Sequence, residues 1–434
     1  MKRIFIAILT ILALPTNSQM QAQTVNFSKY FEDATLRIDY YRAGNRQSDT
    51  IVGCYDERLP IWPGSYTQLI DPFDNGHFRI VVKDARRGNV IYTRHYNSLF
   101  NEYRDTPEGK DSIAMLEEVV RVPWPKNPVD ICWEERGANG RYFTLSVLRY
   151  DPQTRLKVMS QREYTRRVVT PLKLQYMGDV HSKMDVVIVP EGYGPADSVK
   201  MINDMYKFME YMLAQEPFNS RRSDFNVWGI PITGKASGIT DPNKGIAVKS
   251  LVGASYNTFG ADRYLMTMNL FRLHDVIGDT PCDHIIIMAN SDTYGGGAIY
   301  NFYAISSLNQ MAPMVLPHEL GHSIGGLADE YVDENLSYGG MHKPTEEPME
   351  PNITTLIHFD QKWESMLPAG TPVPTPDNNS VKRSENGPVG AYEGASYHSK
   401  DFFRPVMHCM MRDYAPFCPV CAKRLNQVFD LYTR

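Results

Sequence analysis

The sequence predicts two domains of different texture: an all-β sandwich over residues 24–165, then a mixed α+β or α/β domain over residues 166–434. Three observations carry that expectation. At 434 residues the chain is longer than one hydrophobic core usually serves. Its first half reads as short β-branched and aromatic runs separated by Gly, Pro, Asn and Asp. Its second half alternates such runs with stretches of 3.6-residue periodicity.

In the first half, "ATLRIDYYRAG", "HFRIVVKDA", "NVIYTRHY", "EEVVRVPW", "VDICWEER" and "YFTLSVLRYD" are the strand candidates. Turn signals such as "DPFDNGH" and "RGANGR" punctuate them. No residue cluster in this half looks catalytic. After "REYTRRVVTPLKLQYMGDVHSK" the texture changes. "MDVVIVPEGY" reads as a buried strand, and the next stretch predicts a helix with Val199, Ile202, Met205, Tyr206, Met209 and Met212 on its apolar face. "FNVWGIPIT" and "CDHIIIMANS" read as strands flanking a helix in "ADRYLMTMNLFRLHDVIG". This alternation implies a partly parallel sheet. After Gly295–Gly297, residues 298–307 read as one edge strand.

The net charge of −5 offers no basic footprint for nucleic acid and no polybasic membrane patch. Lys2 and Arg3 precede the apolar run "IFIAILTILALP" (4–15). A helix of that length spans about 18 Å, short of a ~30 Å hydrocarbon core. Residues 1–23 therefore read as a signal peptide for export, to the periplasm, the cell surface or the medium. No other segment is apolar enough to predict a membrane span. Six cysteines remain, and export permits disulfides among them.

The chemistry concentrates in "PHELGHSIGGLADEYVDE" (317–334). On a helix, His318 and His322 lie one turn apart on one face and can offer two imidazoles to one ion. Glu319 leans toward the same ion without ligating it and can take a proton from an attacking water. Gly325 falls where the metzincin pattern H-E-x-x-H-x-x-G-x-x-H ends its helix. The third ligand of that pattern would fall on Ala328, which cannot bind metal. Asp329, one residue on, is the first choice for the role, Glu330 the second and Asp333 the third. Downstream, Met411 in "Cys409-Met410-Met411" fits a methionine turn beneath the metal.

The segments "HELGHSIGGLADEY", "YEGASYHSKDFFRPVMHCMM" and "FCPVC" resemble the IgA-peptidase family of secreted zinc metallopeptidases. "DVVIVPEGY" and "GGGAIYN" are similar to it as well, and the β-rich half looks like its amino-terminal domain. The resemblance implies a metzincin-like zinc endopeptidase with one catalytic Zn2+ and Glu319 as general base. It also implies a protein or peptide substrate, with immunoglobulin or another host glycoprotein as a candidate. Tyr414 is a candidate for assisting the oxyanion, although a packing role is its commoner fate. His284 reads as a core residue; His398 and His408 are remote substitute ligands. A disulfide among Cys282, Cys409, Cys418 and Cys421 is favoured over a redox pair or half a zinc knuckle. The loop 374–388 reads as exposed and mobile. Two other readings remain: a protein- or glycan-binding protein with a structural metal, and a gluzincin-type peptidase. The intact Glu319 speaks against the first; Gly325 and the methionine turn speak against the second.

Overall fold

The computed structural model describes residues 25–154, 169–333 and 342–434. The expected signal peptide and the expected boundary near residue 165 lie outside them. The amino-terminal half runs α1 (Phe27–Tyr30), β1 (Phe31–Gly44), β2 (Asp49–Leu59), β3 (Phe78–Asp84), β4 (Val90–Tyr96), α2 (Leu99–Asp105), α3 (Pro107–Asp111), β5 (Ala114–Pro125), β6 (Val129–Arg136) and β7 (Tyr142–Tyr150). It forms two antiparallel sheets, β2-β1-β5 and β4-β3-β6-β7. They share one core, in which Leu36, Ile38 and Tyr40 of β1 meet Phe78 and Ile80 of β3 and Trp133 of β6. Two-residue alternation puts those side chains on one face.

This half is β-rich rather than all-β, since α1 precedes its strands and α2 and α3 interrupt them. β2 escapes the sequence reading because "DTIVGCYDERL" is an edge strand whose residues are mostly half-buried, so no clean apolar alternation marks it.

The second half runs β8 (Leu172–Gln175), β9 (Met184–Glu191), α4 (Ser198–Leu213), β10 (Phe225–Gly229), α5 (Leu270–Ile277), β11 (His284–Ala289), β12 (Gly296–Ile299), β13 (Tyr303–Ser307), α6 (Ala312–Ser323), β14 (Tyr392–Ala395), β15 (His398–Arg404), α7 (Met410–Asp413) and α8 (Pro419–Thr433). Its six-stranded sheet has the order β12-β13-β11-β9-β10-β8. The four central strands are parallel, and β12 and β8 close the edges antiparallel. β9 is buried at every residue, as a central parallel strand should be.

Two expectations change. Residues 298–307 are not one strand: β12 turns back onto β13, leaving Gly296–Ile299 as the edge. On α4, Met205, Met209 and Met212 are buried as expected, joined by Met201, Phe208 and Leu213, while Val199 is 75% and Tyr206 45% exposed. The buried face is thus the expected stripe rotated slightly, with Met201 and Phe208 replacing Val199 and Tyr206 against the core.

The halves are tied together by polar bonds. Buried Arg37 reaches Asp275 at 2.9 Å and donates to Phe271 O, and Glu117 accepts from Phe271 N at 2.8 Å. Removing one partner of such a buried pair costs about 3–5 kcal/mol, because it strands a charge.

His284 is a core residue: it is 2% exposed and its Nε2 meets Ser323 Oγ at 3.0 Å, joining β11 to the end of α6. Burial pushes its pKa down to about 3 from 6.5. The unfolded chain therefore binds the extra proton between about pH 6.5 and 3, so stability is lost as the pH falls through that window. Denaturant unfolding of wild type and His284→Asn across this range should show a shallower acid loss in the variant.

Candidate metal centre

α6 starts with Pro313 in its first turn and carries Pro317 inside, yet stays helical through Ser323. It packs on β12, β13 and α4 and buries Leu316 and Leu320. The opposite face presents His318 and His322, with ring centroids 4.8 Å apart. Each ring is oriented from behind. His318 Nδ1 meets Met410 O at 2.9 Å and His322 Nδ1 meets Leu327 O at 2.7 Å. A carbonyl only accepts, so both Nδ1 atoms carry the proton and both Nε2 atoms carry a lone pair.

Those lone pairs converge. The two Nε2 atoms stand 3.1 Å apart, and Asp329 Oδ1 lies 3.1 Å from the first and 3.3 Å from the second. Asp329 Oδ1 is buried with both Nε2 atoms facing it, so it has no donor there while the rings are neutral. Three acceptors held this close repel one another unless a cation sits among them. The spacings match the edges, about 3.3 Å, of a tetrahedron with ~2.0–2.1 Å arms to nitrogen and oxygen. The donor set therefore fits a zinc-type ion. Without one, a proton substitutes: burial opposes it, but the Asp329 carboxylate lifts His322 to about 9.

Asp329 reaches this position because the chain reverses after α6. Gly326, not Gly325, takes the left-handed turn, with φ 58°; Gly325 still donates helically to Gly321 O at 3.1 Å. Residues 328–330 then run extended along Asn352, which accepts from Ala328 N at 2.8 Å and donates to Ala328 O at 2.9 Å and to Glu330 Oε1 at 2.9 Å. Alternation along this segment points Asp329 at the histidines and Glu330 the other way. Glu330 is thus corrected as a candidate ligand: its carboxylate meets Cys421 Sγ at 3.2 Å. Asp333 uses its backbone N–H on Tyr397 O and joins no ligand group. The substitute ligands are corrected too. His398 stacks on Phe402, and His408 pairs with Asp413 Oδ2 at 2.6 Å.

Met411 lies under α6: a Cβ added at Gly321 would stand 2.4 Å from its Sδ, so the glycine of "HELGH" makes room for it. Glu319 faces the cleft against Gly296, where an added Cβ would stand 2.7 Å from Oε1. Burial raises the Glu319 carboxyl above its usual value, and the two imidazoles oppose that rise. Tyr414 sits edge-on to His318 at 5.6 Å, with its hydroxyl 2.6 Å from that of Tyr294.

Other cleft residues carry no sequence signal. Tyr397 Oη donates to Asp329 Oδ2 and fixes the carboxylate. Glu102, from the half expected to hold nothing catalytic, lines the cleft and accepts from Tyr264 Oη at 2.6 Å; burial lifts it to about 7. Arg263, Tyr331 and Arg412 complete the walls. The 374–388 loop is exposed but anchored: Arg383 Nε donates to Asp413 O at 2.7 Å and Asn386 to Pro416 O at 2.7 Å.

Asp329→Ala should abolish metal binding at the His318/His322 site, and Tyr397→Phe should weaken binding there about 10–100-fold, as loss of a hydrogen bond that orients a ligand does; metal-buffer titrations read both. Because the pKa of His322 is raised to about 9 in the metal-free protein, its ring is charged at pH 7. Metal uptake there should release a proton, and apparent affinity should fall as the pH drops. Calorimetry in buffers of differing ionisation enthalpy measures the proton count.

A family model described as IgA Peptidase M64 matches residues 172–387 and 381–429. A second, described as Peptidase M64 N-terminus, matches residues 26–145. No curated protein matches the chain. The first match alone spans more than half of the sequence and contains His318, Glu319, His322, Asp329 and the methionine segment. The chain therefore belongs to the IgA peptidase M64 family, and its fold carries that family's peptidase region behind the family's own amino-terminal region.

Proposed function

We propose that this peptidase is an exported, zinc-dependent endopeptidase of metzincin-like architecture, with His318, His322 and Asp329 as ligands and Glu319 as general base. The observation that carries the reading is the convergence of Asp329 Oδ1 and two lone-pair-bearing Nε2 atoms within 3.3 Å of one another. A bound zinc ion would acidify the attacking water toward pH ~7 and polarise the scissile carbonyl. Support for the metzincin-like assignment comes from Met411 beneath α6 and from a third ligand delivered by the loop after the helix.

Glu319 sits one position along α6 from His318 and borders the cleft. Its raised pKa suits a base that accepts the proton of the attacking water and returns it to the leaving amine. Tyr414 Oη, paired with Tyr294 Oη at the cleft, would donate to the oxygen of the tetrahedral intermediate. The edge strand β12 borders the same cleft; its outer side is engaged at Gly296 by Arg263 O and Leu265 N, which leaves Ala298 to meet an extended substrate backbone. That mode suits a protein or peptide substrate rather than a small molecule. Arg263, Arg383 and Arg412 bring positive charge to the cleft lining, which also carries Glu102, Glu350 and Asp413. No helix among the described residues is long and apolar enough to cross a membrane. Export, proposed from the leader-like residues 1–23, would bring the enzyme to extracytoplasmic proteins.

Proteolysis of a denatured-protein library by wild type and Glu319→Ala, with zinc stoichiometry on both, tests this directly. Zinc should remain in both and cleavage only in wild type. Zinc in both with cleavage by neither would overturn the assignment. Tyr414→Phe should lower kcat about 100-fold with little change in KM, as loss of an oxyanion donor does.

A further inference from the structure

The six cysteines are all free, so the expected disulfide among Cys282, Cys409, Cys418 and Cys421 is not formed. Cys282 lies apart, with its Sγ 3.7 Å from His284 O. The other three converge with Glu330. One ligand atom from each of Cys409, Cys418, Cys421 and Glu330 lies within 4.8 Å of every other, and all four residues are fully buried. We propose that these four residues form a second, structural metal site, for a zinc-type divalent cation, behind the catalytic one.

Four observations carry this. Cys409 Sγ and Cys421 Sγ stand 3.7 Å apart, which is the edge, about 3.8 Å, of a tetrahedron with ~2.3 Å arms to sulfur. The thiol count is odd, so any disulfide would strand a third sulfur beside a carboxylate with no water to solvate it. Glu330 Oε2 is buried with no hydrogen-bond partner, a costly arrangement for a polar atom unless something binds it. Finally, backbone N–H groups aim at the sulfurs: Cys418 N at Cys409 Sγ and Cys421 N at Cys418 Sγ, both 3.4 Å. Such donors favour the thiolate form that binds metal.

The ligand set also fits a structural role. Four protein ligands leave no open coordination position, and none is exposed to substrate. The sequence spacing agrees: Cys418-Pro-Val-Cys421 opens α8, and the two partners expected of a knuckle come from Cys409 and Glu330 rather than from a second cysteine pair. The placement explains what the site stabilises. Glu330 follows Asp329 in the chain and donates its N–H to Met411 O at 2.8 Å. Cys409 precedes Met410, whose carbonyl orients His318. One ion here would clamp the loop after α6, the methionine segment and the start of α8 into a single unit.

The test uses the full-length chain and zinc or cobalt as probe. Wild type should hold two zinc ions per chain and His318→Ala/His322→Ala one. The cobalt-loaded histidine variant should retain thiolate-to-cobalt charge-transfer absorption, which a His2Asp site cannot produce. Cys418→Ser/Cys421→Ser should lose that absorption. Because the histidine variant leaves the cysteine cluster intact, misfolding of the cysteine variant does not obscure the result. The proposal is overturned if the histidine variant binds no metal and shows no thiolate absorption, or if alkylation and mass measurement find two of the three cysteines joined as a disulfide. Neither result bears on whether Glu319 supports cleavage, so this inference and the peptidase reading fail separately.

Discussion

The constraint on which the rest of this structure depends is the enforced meeting of three acceptor atoms. His318 and His322 have committed their Nδ1 protons to backbone carbonyls, and Asp329 has been turned toward them by a backbone splinted along Asn352. With both rings neutral, nothing in that trio attracts its neighbours until a proton or a cation is shared among them. The repulsion is borne by the scaffold: a helix buried against a parallel sheet, a glycine turn, and a methionine segment packed under Gly321. Such a preorganised set gains most from a small cation, and each orienting bond adds to that gain by removing freedom the ligands would otherwise keep.

The amino-terminal half takes part in this arrangement. Asn75 donates to Gly326 O at 3.1 Å, at the turn that redirects the chain toward Asp329. Asn97 N donates to Tyr300 O at 3.0 Å, behind the edge strand, and Glu102 enters the cleft itself. Buried ion pairs such as Arg37–Asp275 fix the relative position of the halves with a directionality that apolar contact lacks. A β-rich region with no catalytic motif of its own thus becomes a wall of the site.

The extended segment from Ala328 to Glu330 illustrates how one local geometry serves two purposes. Period-two alternation gives adjacent carboxylates opposite environments. Asp329 faces imidazoles, which hold its pKa well below normal against the effect of burial, while Glu330 is driven well above normal by burial among thiols. Two acidic residues side by side in the sequence are chemically alike. Facing imidazoles in one case and thiols in the other, they are not.

The sequence by itself determined the parts that depend on local spacing. The i, i+4 placement of His318 and His322 with Glu319 between them follows from the helical repeat, and the alternation of strands and helices announced the parallel sheet. The buried strand β9 was legible because both its faces are covered, which makes its apolar run continuous. Tertiary structure decided whatever depends on how distant segments meet. The strand β2, mixed in composition and half-exposed, left no readable pattern. That α4 turns Met201 and Phe208 rather than Val199 and Tyr206 to the core, beside the expected Met205, Met209 and Met212, was decided by what it packs against. Tyr397 and Glu102 lie 68 and 162 residues from their hydrogen-bond partners Asp329 and Tyr264. That Cys409, Cys418 and Cys421 gather around Glu330, with Cys282 apart, depends on segments up to 91 residues apart in the chain and leaves no mark in local spacing. Periodicity constrains a residue's neighbours only within a few turns or strand positions; longer-range neighbours are set by packing, which one-dimensional spacing does not encode.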